Sequence, residues 1–224
     1  MGIMRKATKR VASAGIILAS AAAAPAAAVA AVGGGAYALN ANVNALAAPL
    51  SIGALPSVTL PADGGGPYTD SLLSANVLGL APVRAAVVST EGKPGLGTVA
   101  SSASVLEADV AGVVTVSVAR SQCSVAGDSA SGAATVADLV VAGIAVNTID
   151  AGPNTRISLP VGTVTVNEQR SSGHAGLTVN AVHVTLDAAA VGGDIIIGQS
   201  RCSVTTSTRA RAAALRRARK AARR

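Results

Sequence analysis

Short runs of alternating residues constrain this chain more than any other feature of its sequence. In VTVSV at 114–118 and TVTV at 163–166, valines alternate with threonine or serine. Successive side chains of a β-strand point to opposite faces, so each run has one apolar face and one hydroxyl face. No helical periodicity persists over three turns before residue 208. The pattern predicts an all-β protein whose strands bury one face and leave the other in water.

Gly, Pro, Asn and Asp separate these runs at the intervals expected of turns between strands. The spacing predicts an antiparallel β-sandwich, with a barrel-like or β-helical fold as the alternative. A parallel β-helix is disfavoured because the sequence has no fixed repeat period. Nine strands are predicted, at 36–46, 72–79, 83–89, 97–108, 112–123, 133–148, 156–168, 176–187 and 193–202.

Three glycine- or proline-rich stretches are predicted to lie outside the strands. Residues 49–68 contain four prolines and a glycine triplet, which favours a long surface loop. The glycine triplets at 33–35 and 64–66 do not stand between a strand and a helix. They are therefore predicted to be flexible linkers or turns, not loops that bind a phosphate group.

The charge of the chain is concentrated at its two ends. The formal net charge is +7, but all eleven acidic residues lie within 31–208, where only six basic residues accompany them. This acidic body lacks the basic face with which folded domains bind nucleic acid, so no nucleic-acid partner is expected. The chain also has no Phe, no Trp and only two Tyr, which argues against a surface of stacked aromatic rings for single strands.

The N-terminal charges precede an apolar stretch typical of export. Four basic residues come before the uncharged residues 11–32, which end in small residues. This order predicts a signal peptide at 1–30 with cleavage between Ala30 and Ala31. An uncleaved membrane anchor is the alternative, since 22 residues could just span a bilayer. The anchor is disfavoured because the stretch is rich in alanine and interrupted by Pro25. The basic residues before it include no pair of arginines, so twin-arginine export is not indicated.

The only two cysteines, Cys123 and Cys202, occur in similar settings. SQCSV at 121–125 resembles SRCSV at 200–204, and each follows a predicted strand. In an oxidising compartment this arrangement predicts one disulfide that ties two strand ends together. A metal site is disfavoured because neither cysteine has a second Cys or a His at ligand spacing.

The C-terminal segment at 209–224 consists almost entirely of alanine and arginine. On a helix its basic residues form a cationic stripe opposite a weak alanine face, while a short disordered tail is the alternative. Such a stripe is expected to bind anionic wall polymers or lipid head groups electrostatically, unless the tail serves solubility alone. The predicted surface-binding residues are Arg209, Arg211, Arg216, Arg217, Arg219, Lys220, Arg223 and Arg224.

One group of titratable residues in the body could form an active site. His183 is out of phase with the neighbouring valines of its strand, which places it on the other face. Glu168 is in phase with Val164 and Val166, which predicts a carboxylate at a strand end that accepts bonds from turn amides. No nucleophile elbow, metal motif or phosphate loop accompanies them, so no catalytic residue, metal or cofactor is predicted. The whole group is Glu168, His174, His183, Asp187 and Asp194.

Several spaced segments of the body resemble the actinobacterial "choice-of-anchor P" family. They are SSASV at 101–105, AGPNT at 151–155, NEQ at 167–169, VNAVHV at 179–184 and DIIIG at 194–198. The resemblance covers about residues 37–202 and implies an exported, cell-surface protein of unknown biochemical activity, without catalytic residues. The basic tail follows neither an LPxTG-like sorting signal nor an apolar span, so this chain departs from the family's anchors.

Together these features predict a signal peptide at 1–30, a β-rich extracellular domain at 31–208 and a cationic tail at 209–224. The leading hypothesis is an exported, envelope-associated surface protein with a structural or adhesive role and no enzymatic activity. A secreted hydrolase with a site near Glu168 and His183 is one alternative. A free extracellular binding or inhibitory domain is the other.

Overall fold

The structure is a computed structural model that describes residues 30–45, 49–77, 81–148, 151–173, 175–189 and 191–205. The predicted signal peptide apart from Ala30, the residue His174 and the basic tail lie outside the described residues. Within those ranges, no helix has the length and apolar character needed to cross a bilayer.

Thirteen strands and one short 3-10 turn (Pro94–Leu96) make up the regular structure of the described residues. The strands are β1 (Ala31–Ala45), β2 (Pro49–Thr59), β3 (Gly65–Val77), β4 (Ala81–Lys93), β5 (Thr98–Val110), β6 (Val114–Ala126), β7 (Ser129–Ala137), β8 (Leu139–Val141), β9 (Ile144–Val146), β10 (Thr155–Leu159), β11 (Gly162–Ser171), β12 (Gly176–Ala188) and β13 (Val191–Thr205).

The strands form two separate antiparallel sheets. The first sheet has the order β10-β11-β12-β13-β1-β2, and the second has β3-β4-β5-β6-β8-β9 with β7 also paired to β6. The sheets pack face to face, with β13 and β1 of the first against β4, β5 and β6 of the second. The predicted antiparallel sandwich is confirmed, and neither the barrel-like nor the β-helical alternative describes these residues.

The predicted loop at 49–68 is wrong, because most of it is strand. It contains β2 and the start of β3, joined by a turn at 60–64. Both strands lie at the edge of their sheets. On the open side of an edge strand there is no neighbouring strand to bond, so the N–H group that proline lacks is not needed there. The prolines therefore mark sheet edges.

The single strand predicted at 133–148 is also wrong, because the structure divides it into β7, β8 and β9. Positive φ angles at Asp138, Ala142 and Gly143 interrupt it.

The glycine triplet at 33–35 is also not a linker, since it lies within β1. A Cβ atom on Gly34 would lie 2.5 Å from Thr90 Oγ1 of β4 and 3.1 Å from Ser101 Oγ of β5. Glycine is required there because the two sheets approach each other closely. The triplet at 64–66 is a turn only in part: Gly64 ends the turn at 60–64, while Gly65 and Gly66 begin β3. All three residues have positive φ.

The core has two apolar clusters of unequal size with hydroxyl side chains between them. On β5, Ser101 comes between Val99 of the smaller cluster and Ala103 of the larger one. Thr90 and Ser101 share a 2.8 Å hydrogen bond, and Ser101 donates to the carbonyl of Arg201 on the opposite sheet at 2.9 Å. These bonds satisfy the Thr90 and Ser101 hydroxyls, which would otherwise be costly to bury. Ser121 and Ser200 are also buried, but their hydroxyls have no hydrogen-bond partner among the described residues.

The predicted disulfide is present, and it joins the two sheets. Cys123 on β6 and Cys202 on β13 have Cα atoms 6.0 Å apart, and both are buried in the smaller cluster. The bond connects residues that are 79 positions apart in the chain. In the chain-entropy model a loop of that size contributes about 4 kcal/mol to stability.

On four strands of the first sheet, the alternation of inward-facing and outward-facing residues shifts by one position partway along the strand. On β12, Leu177, Val179 and Ala181 are buried, and the buried positions then continue at Val182 and Val184. On the neighbouring strands β11 and β13 the alternation shifts beside the same point of β12. There Asn167 and Gly198 have φ of 51° and 66°. The reversals lie at Val166/Asn167, Ala181/Val182, Ile197/Gly198 and Ala38/Leu39. Residues beyond this line point to the opposite face from the one that a regular alternation predicts.

The first and last described strands lie side by side. Ala31, the residue after the predicted cleavage site, is paired with Thr205 at the end of β13. The chain therefore enters and leaves the sandwich at the same end of the first sheet.

Candidate functional site

A polar network lies on the outer face of the first sheet, with His183 at its centre. His183 Nδ1 is 3.0 Å from Glu168 Oε2, and its Nε2 is 3.1 Å from Asp194 Oδ1. The three residues come from β11, β12 and β13, which are adjacent strands. Thr185 Oγ1 donates to the same Asp194 oxygen at 3.0 Å. The structure thus brings together three of the five titratable residues that the sequence analysis singled out.

The other two residues do not join this network. Asp187 is exposed near the end of β12 and contacts neither Glu168 nor His183 through its side chain. His174 lies outside the described residues. Among the described residues, no group of three or more His, Cys, Asp and Glu side chains is arranged to hold a metal ion.

Glu168 is the most enclosed carboxylate of the network. Its Oε1 accepts from Arg170 Nε at 2.8 Å and Nη2 at 2.6 Å, and its Oε2 accepts from Asn180 Nδ2 at 2.6 Å. Burial favours the neutral acid, but the bonds from Asn180 and Arg170 and the charges of His183 and Arg170 outweigh it. The pKa of Glu168 is therefore below its ordinary value of 4.5.

The prediction that Glu168 ends a strand and binds turn amides is wrong. Glu168 lies inside β11, three residues before its end, and its partners are side chains. The reason is the positive φ of Asn167, which reverses the facing of the residues that follow. Gln169 Nε2 reaches the carbonyl of Gly132 in the second sheet at 3.1 Å, so Glu168 and Arg170 on either side face outward.

The network continues across the sheet through neutral side chains. Asn180 Oδ1 accepts from Gln199 Nε2 at 2.8 Å, and Gln199 is in turn paired with Tyr37 on β1. Burial raises the pKa of Tyr37 to about 12, although Arg201, Arg170 and the bond from Gln199 oppose it. Glu168, Asn180, Gln199 and Tyr37 occupy paired positions on four successive strands. They form one row of side chains.

The sequence analysis did not identify Arg170, Asn180, Gln199 and Tyr37 as members of this site. The available signal was the spacing of Glu168 and Arg170, two residues apart, which places both on one face of a strand. The remaining members depend on the registers of three strand pairs, and these registers follow from the whole sheet.

His183 can satisfy its ring nitrogens in either protonation state. The doubly protonated ring donates to Glu168 and Asp194 at the distances given above. The neutral ring can donate from Nε2 to Asp194 and accept at Nδ1 from Arg170 Nη2, which is 3.4 Å away. Only 13% of the side chain is exposed. His183 is thus held by surrounding residues and does not present a free ring nitrogen to a ligand.

This arrangement suits a structural role better than acid–base catalysis. General acid–base catalysis needs a group that can reach the proton of a bound substrate. Both oxygens of Glu168 and both ring nitrogens of His183 already have protein partners. Four of the surface grooves formed by the described residues have volumes of about 390 to 550 Å³, and none of these four is lined by Glu168, His183 or Asp194.

No protein-family model, no curated protein and no solved structure matches this chain. Fold and site together define an all-β, two-sheet antiparallel sandwich with one buried intersheet disulfide and a hydrogen-bonded polar row on the outer face of its first sheet.

Proposed function

We propose that this chain is an exported surface protein of the cell envelope that acts without enzymatic activity, in a structural or adhesive role. The basic tail at 209–224 holds it to anionic wall polymers or lipid head groups. The observation that carries the proposal is the separation of charge, since the tail has eight basic residues and the body between 31 and 208 has a net charge of −5.

The end of β13 is the point of the body from which the chain continues into the tail. Thr205 ends this strand only a few residues before the tail begins, beside Ala31 at the start of β1. A basic group near an anionic surface contributes about 1 kcal/mol, and salt weakens the attraction. The tail can therefore supply reversible attachment while the sandwich faces its surroundings.

Export is supported by the leader-like sequence at 1–30 and by the intersheet disulfide, a bond that oxidising compartments favour. The likeness to the choice-of-anchor P family, on the segments named above, is part of the same proposal. A role without catalysis is supported by the satisfied network around Glu168 and His183. A hydrolase centred on these residues would have to break that network before it could act.

Cell fractionation tests the attachment. We define a tail-neutral variant as the full chain with all eight basic residues of 209–224 changed to glutamine, which keeps the length of the tail. The wild-type protein is expected to sediment with cells in low salt and to be released at about 1 M salt. The tail-neutral variant is expected in the medium at both salt concentrations. Equal retention of the two proteins in low salt would overturn attachment by the tail and favour a free extracellular domain.

A further inference from the structure

A groove of about 480 Å³ crosses the outer face of the first sheet beside the polar row. It extends over β2, β1, β13 and β12, and its floor is the glycine triplet of β1. Gly34 points toward the second sheet, as its closeness to Thr90 shows, so Gly33 and Gly35 point outward. These two positions carry no side chain, and the backbone of β1 is partly exposed at the bottom of the groove. Ser203 Oγ lies beside Gly33 and donates to its carbonyl at 3.3 Å.

The walls of the groove are rich in neutral polar groups. Hydroxyl and amide side chains both donate and accept hydrogen bonds. Since the pKa of Tyr37 is raised to about 12, its hydroxyl keeps its proton and remains a donor at neutral pH. The wall side chains of this kind are Tyr37, Ser57, Thr59, Ser172, Thr178, Gln199 and Ser203.

Arg201 is the only charged residue among those described as lining the groove, and no carboxylate accompanies it. Its side chain is exposed and makes no hydrogen bond or ion pair with the described residues. Arg201 is paired with Gly35, which is two residues from Tyr37 in β1, so Arg201 and Tyr37 are diagonal neighbours on the same face of the sheet. A guanidinium group binds a carboxylate with two parallel hydrogen bonds. The groove is therefore complementary to a ligand that is negatively charged and otherwise hydroxyl-rich.

A peptide strand fits this groove less well. Within the groove β1, β13 and β12 are each paired on both sides, so a strand could be added only at the outer edge of β2. The fully exposed wall side chains are polar, with the half-buried Ala54 and Val58 of β2 beside them.

From these observations we infer that the groove over the glycine triplet of β1 binds an acidic saccharide. The sugar hydroxyls bond to the hydroxyl and amide side chains of the walls, and Arg201 binds the carboxylate. A side chain at 33 or 35 would fill part of the bottom of the groove. The site is built from residues of the folded body, so the inference goes beyond electrostatic attachment through the tail.

Calorimetric titration tests the inference in the tail-neutral variant, because the wild-type tail would itself attract an acidic probe. The probes are tetragalacturonate, its methyl ester and inorganic phosphate. Tetragalacturonate is expected to bind, and the ester, which lacks the charge, is expected to bind at least about ten-fold more weakly. Inorganic phosphate is expected to give no measurable binding, since it lacks the sugar hydroxyls.

Two substitutions added to this background separate charge from hydroxyl contacts. Arg201→Gln should weaken tetragalacturonate binding at least about ten-fold, and Thr178→Val, which keeps the side-chain volume, should weaken it about three-fold. Arg120→Gln is the matched control, because Arg120 is an exposed arginine of the second sheet and should leave binding unchanged. Thermal unfolding would verify that each variant is folded.

The inference is overturned if tetragalacturonate does not bind, if Arg201→Gln binds it as well as its parent does, or if phosphate binds as tightly as the saccharide. Because the tail is neutral in every protein of the series, the result does not depend on the fractionation experiment. Binding in the groove can fail while the tail still retains the protein on cells, and the reverse outcome is equally distinguishable.

Discussion

Glu168 Oε2 lies 3.0 Å from Nδ1 of His183, although the two residues are on different strands and face away from the apolar core. Both side chains are largely enclosed, with 11% and 13% of their surfaces exposed. Arg170, which is 61% exposed, bonds the same carboxylate from the solvent side. A charge that is enclosed in this way must keep its partners, so the network should contribute to the stability of the first sheet.

Glu168→Gln should lower the free energy of unfolding at pH 7 by about 2 kcal/mol, because charge-assisted hydrogen bonds to Arg170 and His183 are lost. The pKa of Glu168 in the folded protein is below 4.5, so its stabilising effect is complete above pH 4.5 and is lost as pH falls through the lowered value. Urea unfolding between pH 7 and pH 3 should show the gap between wild type and variant narrowing below pH 4.5. A gap that stays constant with pH would contradict this account.

The matched control for that substitution is Glu107→Gln. Glu107 also bonds an arginine, with 2.6 Å between its Oε1 and Arg84 Nη1, but the two side chains are 57% and 72% exposed. Solvent screens such a pair, so its removal should change stability little at any pH.

Tyr37 should make the protein sensitive to alkali. Its pKa is raised from 10.0 to about 12, so its contribution to stability is complete below pH 10 and is lost as pH rises toward 12. In Tyr68→Phe, Tyr37 is the only tyrosine left, and its ionisation can be followed by absorbance at high pH. A midpoint near 10 would show that the phenol is not buried as described. Tyr37→Phe should weaken the alkaline loss of stability.

The intersheet disulfide should be a large part of the stability of the fold. Replacing both Cys123 and Cys202 with alanine should lower the free energy of unfolding by about 4 kcal/mol, the chain-entropy figure for this loop. The control is the wild-type protein unfolded in the presence of a reductant, which breaks the bond but keeps both cysteine side chains. Its free energy of unfolding should fall by a similar amount. If both proteins unfold at the same denaturant concentration as the oxidised wild type, the bond contributes nothing.

Gly132 on β7 should not tolerate a side chain. A Cβ atom there would lie 2.7 Å from Leu177 Cδ2 and still closer to Val179 Cγ2, both on the opposite sheet. Gly132→Ala should therefore cost about 1–3 kcal/mol of unfolding free energy by overpacking. Gly53→Ala is the matched control, since Gly53 is also in a strand but a Cβ atom there meets nothing within 4 Å. Equal stability of the two variants would show that the sheets are not this close at β7.

Asn167 should tolerate glycine better than a β-branched residue. Its φ of 51° is accessible to Asn and Gly but is strongly unfavourable for a β-branched residue. Asn167→Gly loses the 3.0 Å bond from Gln169 Nε2 to Asn167 Oδ1 and should lower the free energy of unfolding by about 1 kcal/mol, whereas Asn167→Val also strains the backbone and should lower it by about 3 kcal/mol. Denaturant titration compares them. A stable Asn167→Val variant would show that the phase reversal does not need this backbone conformation.

Much of the fold could be predicted from residue alternation. The runs at 114–118 and 163–166 predict strands with an apolar and a hydroxyl face, and both lie in strands of a sandwich. The likeness between the two cysteine segments predicts the disulfide. The prediction of a loop at 49–68 was wrong, because prolines, which usually indicate a loop, are also tolerated at a sheet edge. Only the strand order shows which strands lie at the edges.

The sequence by itself determined that alternating strands would cover a core and that His183 would face away from the valines beside it. The tertiary structure alone decided that Glu168 shares its face. Alternation assigns a face only while every residue keeps extended dihedrals, and Asn167 departs from them at a point where Gly198 departs as well. The two positions are adjacent to Ala181 on β12, far apart in the chain. Such a reversal depends on how neighbouring strands and the opposite sheet pack together, and no single segment contains that information.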